Sequence, residues 1–203
     1  PQYFYLNNQI TALLVFNRFT SFEAGFISER RTVIGNGVSE TNGNANLNYL
    51  IMGFPIKVGR WATSLGLAPY TTVNYRLNYT DSILGSANTV DVIESGSGGI
   101  NQFAWSHGVS LNKNLSLGVK AAYLFSSIEN EYSNSLTQSA QAVTYYPTVY
   151  ERTYVKDFLF TSGLSYHVDS LFNKNYKFNL GVVYDFKTDL KTQYTARFEQ
   201  RND

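Results

Sequence analysis

The sequence predicts an all-β protein, an antiparallel transmembrane β-barrel of the outer-membrane type, and three observations carry that expectation. Two stretches, 116–126 and 177–187, split by parity into one greasy set and one small or polar set. Short turns and long polar loops strictly alternate along the chain. The 203 residues include Tyr 16, Phe 14 and Trp 2 but only 15% charged residues, against about 25% in ordinary soluble domains.

In the first stretch Leu117, Val119, Ala121, Tyr123 and Phe125 share a face opposite Gly118, Lys120, Ala122 and Leu124. In the second, Phe178, Leu180, Val182, Tyr184 and Phe186 lie opposite Asn179, Gly181, Val183 and Asp185. Period-two patterning is the signature of a strand. Roughly 9–11 residues suffice for a tilted strand to cross a bilayer, with apolar side chains toward lipid and small or polar ones toward the lumen.

Taken in order, the pattern predicts strands at 9–16, 19–31, 46–58, 61–78, 99–111, 115–131, 150–168 and 176–190. The first places Ile10, Ala12, Leu14 and Phe16 on one face and turns at Asn17-Arg18. The second aligns Phe22, Ala24 and Phe26 before the polar segment 32–45. Leu50, Met52, Phe54, Ile56 and Val58 share a face of the third, which turns at Gly59-Arg60 into the fourth. After the loop 79–98, Phe103, Trp105, Val109 and Leu111 mark the fifth, and Asn112-Lys113-Asn114 turns into the sixth. The loop 132–149 leads to the seventh, joined to the last through Asp169–Asn175. In a two-sided barrel every second connection lies on the same side, short in the periplasm and long outside.

Charge placement agrees with this. Glu23, Lys57, Arg76, Lys120, Asp157 and Asp185 all take the lumen parity, as expected where a Lys or Arg facing lipid at mid-depth costs about 2–4 kcal/mol. The exception is His107, which shares parity with Phe103 and Trp105. A bulge near Gly108, a neutral imidazole, or contact with another protein would each accommodate it.

Several function classes are excluded. No run reaches the ~18 apolar residues of a membrane helix. A formal charge of +1 without a basic stripe gives no footprint for nucleic acid. Cys 0 removes disulfides, thiol catalysis and thiolate metal sites. Catalysis is not expected, because His107 and His167 are the only histidine bases, and His167 beside Ser165 on one strand face is not a catalytic pair. Asp81, Asp91 and Glu94 match no cation loop, and Gly96-Ser97-Gly98-Gly99 lacks the lysine and helix of a phosphate loop. No cofactor and no metal are therefore expected. No basic and apolar leader follows Pro1, as in a chain whose signal peptide is gone or which is part of a longer protein.

The segments Gly96–Gln102, Asn114–Val119 and Ala122–Phe125, with Phe54-Pro55, Trp61, Ser64–Tyr70 and Ser162–Tyr166, resemble the FadL-like outer-membrane transport proteins of the Bacteroidota. The similarity runs from about Phe22 to Phe186 and concerns strand architecture rather than chemistry. It implies a fourteen-stranded barrel with an N-terminal plug, of which this chain would hold about eight strands and no plug. A complete eight-stranded barrel is the alternative.

The resemblance also implies uptake of a hydrophobic small molecule that leaves sideways through the barrel wall. Pro69, inside a predicted strand, lacks an N–H and interrupts a ladder, so Leu67, Pro69 and Tyr70 are the candidate lateral opening. Tyr79, Tyr132, Tyr145, Tyr146 and Tyr150 in or beside the loops suit an interfacial girdle or a binding surface. The alternative function is a non-transporting accessory barrel in a larger outer-membrane complex for secretion or nutrient uptake, with His107 in the contact. The partners expected are the lipid bilayer, a hydrophobic ligand and other outer-membrane proteins.

Overall fold

A computed structural model describes residues 11–35, 38–83, 85, 89–138, 143–171 and 176–202. The described residues are all-β apart from one short 3-10 helix, η1 (Thr11–Phe16). The strands are β1 (Ser21–Gly35), β2 (Val38–Lys57), β3 (Trp61–Ser82), β4 (Thr89–Ser110), β5 (Leu115–Gln138), β6 (Val143–Leu171), β7 (Tyr176–Asp185) and β8 (Thr192–Asn202). They form one eight-stranded sheet in the order β1 to β7, with β8 paired to β6. The expected antiparallel all-β class is what the chain adopts.

β6 pairs with both β7 and β8, through Thr161–Val168 with the former and Tyr145–Val155 with the latter. Between them Phe186 N donates to Phe160 O at 3.0 Å, and Lys191 N donates to Asp157 Oδ2 at 3.2 Å. The predicted strand 176–190 is thus interrupted after Asp185, and the last residues, read as lying outside any strand, form β8. Their sequence does alternate, Tyr194, Ala196 and Phe198 against Thr195, Arg197 and Glu199, a period-two signal that the predicted strand ends overlook. A ladder is in any case held by backbone groups and does not depend on side-chain polarity.

For the same reason the strands outrun their predicted ends. β1 and β2 continue through most of 32–45, and β5 and β6 through much of 132–149. Gly, Asn, Ser and Thr there read as loop because no face is apolar. Ladder hydrogen bonds extend through them all the same.

The chain divides into two compact units: Pro1–Pro69, Gln102–Tyr123 and Phe158–Thr188 form the first, and Tyr70–Asn101, Leu124–Asp157 and Asp189–Asp203 the second. In the first, parity holds across β4, β5 and β6, whereas β7 is exposed at every residue on both faces. Ala104, Ser106, Ser116, Ala122, Thr161 and Ser165 are buried, whereas Phe103, Trp105, Leu117, Val119, Phe160 and Leu164 are exposed. Asp185, itself exposed, accepts from the buried Thr161 Oγ1 at 2.6 Å.

η1 corrects the expectation of a first strand over 9–16; Ile10 lies outside the described residues. Thr11, Ala12, Leu14 and Val15 are all buried, a spacing that follows helical rather than strand periodicity. They rest on the small-residue face of the wall. A Cβ at Gly108 would come within 2.7 Å of Thr11 O and 3.1 Å of Leu14 Cβ, and one at Gly118 would overlap Ala12 N and Thr11 Oγ1. Glycine lets the two backbones approach this closely.

Candidate interaction site

The richest side-chain constellation of the first unit lies on its outer face, beside the short turns. Gly59, with φ 71°, closes the β2–β3 turn, where Arg60 N donates to Lys57 O at 2.9 Å. The neighbouring turn is tied to it, since Ser110 N donates to Arg60 O at 2.8 Å. A third link joins the β4–β5 turn to β6 through Asn114 Nδ2, which donates to His167 O at 2.7 Å. These bonds fix a rim from which Trp61 enters β3 and on which β4 ends.

Register decides what faces outward at this rim. β2 and β3 pair from Leu50↔Leu67 to Pro55↔Ala62 and then slip, so that Lys57 faces Trp61 and Ile56 has no partner of its own. Directly opposed residues share a face. Lys57, expected on the lumen side by simple parity, therefore stands with Trp61 on the outer side. One extra residue in a strand reverses the parity of everything beyond it.

Above the rim, Phe54, Ile56, Leu65, Phe103, Trp105 and His107 line an apolar groove of about 410 Å³ floored by Thr63. Its polar atoms are mutually satisfied. Trp61 Nε1 donates to His107 Nδ1 at 3.3 Å, Trp105 Nε1 donates to Thr63 Oγ1 at 3.1 Å, and Thr63 Oγ1 donates to Ser106 O at 2.8 Å. The imidazole also packs 4.8 Å from the Trp105 ring and 6.1 Å from Trp61. Accepting at Nδ1 requires that nitrogen to be unprotonated. His107 fits among the aromatics as a hydrogen-bonded imidazole, and β4 runs unbroken past Gly108.

The candidate opening is placed differently. β3 is continuous through Leu67, Pro69 and Tyr70. Its pairing with β2 ends at Leu67, two residues before the proline. Leu67 and Pro69 belong to the first unit and Tyr70 to the second. A ladder end beside a proline follows from the missing N–H and does not by itself require traffic.

On the inner side, His167 stacks edge-on against Phe16 at 5.1 Å. The hydroxyls of Thr11 and Ser116 and Nδ1 of His167 are buried without a partner among the described residues. The second unit carries polar contacts instead: Arg152 pairs with Glu129, Arg197 with Glu199 at 2.6 Å, and Tyr194 Oη donates to Glu151 Oε1 at 2.6 Å. Burial first, then Glu94 and Tyr132, pushes the Tyr75 phenol above its ordinary range. For Tyr194 the hydrogen bond to Glu151 comes first among the causes of a similar rise. Of the loop tyrosines, Tyr79 is exposed and Tyr132 and Tyr150 half-buried; the side chains of Tyr145 and Tyr146 lie outside the described residues.

Sequence reasoning singled out His107 but missed the tryptophans that hold it. The signal available was that Trp61 flanks a predicted short turn, where interfacial aromatics gather, and that Trp105 shares the parity of His107.

Residues 2–202 match the family described as BamG. No curated protein and no solved structure matches the chain. The family match overturns the resemblance to FadL-like transport proteins. The segments that carried it, glycine-rich strand starts and aromatic strand ends, are demanded by sheet geometry in many barrels and identify no ligand. Covering nearly every residue, the match instead establishes that the chain belongs to the BamG family.

Proposed function

We propose that this protein is a non-transporting accessory subunit of the outer-membrane β-barrel assembly machinery, the complex from which the Bam designation comes, and that the strands of its first unit cross the outer membrane. The family membership carries this reading. Two features of the first unit support it. The inner face is lined by Ser106, Ser116, Thr161 and Ser165 and occupied by η1, a poor path for an apolar ligand. The outer face is a field of exposed apolar side chains, including Leu117, Val119, Phe160 and Leu164, which suits lipid or a hydrophobic partner. No catalytic role is assigned. Uptake of hydrophobic compounds rested on the overturned resemblance and has no other support.

The test is purification of the tagged full chain from native outer membranes in mild detergent. Co-purification of the machinery's own barrel subunit in near-equal amount is expected. Depletion should lower the levels of other outer-membrane barrels while leaving uptake of an apolar compound unchanged. A chain that purifies alone, or whose depletion reduces only uptake, overturns the proposal.

The membrane crossing has its own test. Val119 is exposed and four residues into β5, whereas the neighbouring Lys120 takes the inner parity. Val119→Arg should lower folding stability in bilayers by about 2–4 kcal/mol, and Lys120→Arg should leave it unchanged. Equal stability of the two variants in a urea titration of liposome-inserted protein would count against a lipid-facing outer side.

A further inference from the structure

We propose that the rim formed by Lys57, Arg60 and Lys113 and the groove above it bind one anionic phospholipid, its phosphate at the basic turns and an acyl chain between the aromatics. The inference rests on the membrane-crossing reading given above and goes beyond it by naming a ligand class and a site.

Charge is the first support. The β2–β3 turn, residues 58–60, and the β4–β5 turn, 111–114, contain Arg60 and Lys113 and no carboxylate, and Lys57 flanks the former. All three side chains are exposed. The Ser110–Arg60 backbone bond holds the two turns side by side, which gathers the cations at one place. The slipped register at Ile56 is the second support, because it brings Lys57 to Trp61's face instead of the lumen. Without it Lys57 would keep the lumen parity.

The groove supplies the apolar half. Its volume of about 410 Å³ falls within the roughly 300–1,000 Å³ of small-molecule sites. Apart from Thr63 and His107 its lining is hydrocarbon and aromatic. The indole N–H groups and the Thr63 hydroxyl are used internally, so a chain entering the groove leaves none of them unsatisfied. The remaining ring nitrogen, His107 Nε2, carries the proton when Nδ1 accepts, and is a donor for a phosphate or ester oxygen at the mouth. Aromatic rings at headgroup level with cations just beyond are a general arrangement for anchoring at a membrane interface. A zwitterionic lipid would fill the groove equally well but gain less from the three cations.

The only two tryptophans in the chain, Trp61 and Trp105, both belong to this site, so intrinsic fluorescence reports on it directly. The protein is reconstituted in phosphatidylcholine bilayers containing a minor fraction of phosphatidylglycerol or phosphatidylcholine brominated near the carbonyl end of the acyl chain. The anionic quencher is expected to act at a mole fraction at least about fivefold lower than the zwitterionic one, the preference that one Lys or Arg near an anionic surface provides. In the triple variant Lys57→Gln, Arg60→Gln, Lys113→Gln the two quenchers should become equivalent within about twofold, with quenching by the phosphatidylcholine unchanged. Equal quenching by both lipids in the parent protein overturns the proposal, as does a preference that survives the triple variant. Quenching by neither lipid overturns the membrane-crossing reading itself.

Discussion

Gly118→Leu is expected to expel η1 from the wall. A Cβ at position 118 would overlap Ala12 N and Thr11 Oγ1, and these atoms cannot swing aside as a side-chain tip could, because most of what is met is backbone. Gly108 is next in severity, with Thr11 O at 2.7 Å, and Gly163 is mild, with Thr11 Oγ1 at 3.5 Å. The three positions thus form a graded series on one face. Displacing η1 returns Leu14 and Val15, 4% and 2% exposed, to solvent. Full burial of each is worth about 1.5–3 kcal/mol, so Gly118→Leu should cost about 3–6 kcal/mol while Gly163→Ala stays near neutral. The chain has no cysteine, which allows a direct readout. Ala12→Cys, at a site with 0% exposure, should resist a thiol reagent in the parent background, stay protected with Gly163→Ala and react fully with Gly118→Leu. A cysteine at position 12 that labels equally in all three backgrounds would mean that η1 is not seated on these glycines.

What the sequence allows one to read divides along a physical line. The inner and outer faces of β5 are legible because a strand's backbone fixes period two: Ser116 and Ala122 are buried while Leu117 and Val119 are exposed, as alternation demands. Strand length is not legible in the same way, since Asn42 and Asn44 of β2 pair with Arg31 and Glu29 of β1 through backbone groups that ignore side-chain polarity. Nor is η1, because a six-residue apolar run alternates about as well as it spirals. At the candidate site, His107 stood out as a polar residue on a greasy face. The elements that make it a site were hidden: the slip at Ile56 that turns Lys57 outward, and the pairing that sets Trp61 against His107 across 46 residues of sequence. Such contacts depend on register, which a single sequence does not display. The same limit explains the mistaken resemblance, for glycine and aromatic spacing records sheet geometry and leaves function open.

The run Gly96-Ser97-Gly98-Gly99 shows that geometry at its most demanding, and Gly99→Val should disrupt the second unit. The run was expected at a loop's end, yet it lies inside β4. Gly98 has φ 103° and Gly99 φ 150°, values at which an L side chain strains the backbone. Space is also lacking. A Cβ at Gly98 would overlap Ser127 O in β5, and one at Gly99 would overlap Thr71 O and reach Thr72 Cα at 3.0 Å in β3. Successive glycines thus make room for a neighbour on each side, and no single rotation of β4 relieves both. Strain of about 1–3 kcal/mol at a sparsely populated φ adds to the 1–3 kcal/mol of a backbone group pushed out of its ladder. Gly99→Val is therefore expected to cost about 2–6 kcal/mol, and Gly98→Val a comparable amount. The control is Gly43→Val in β2, which meets nothing within 4 Å and has no positive φ, and it should shift stability by less than about 1 kcal/mol. Hydrogen exchange would locate the damage: amides of β3 to β5 in the second unit should lose protection in Gly99→Val, with those flanking Ala122 in the first unit retained. Uniform loss across both units would show instead that the two unfold as one.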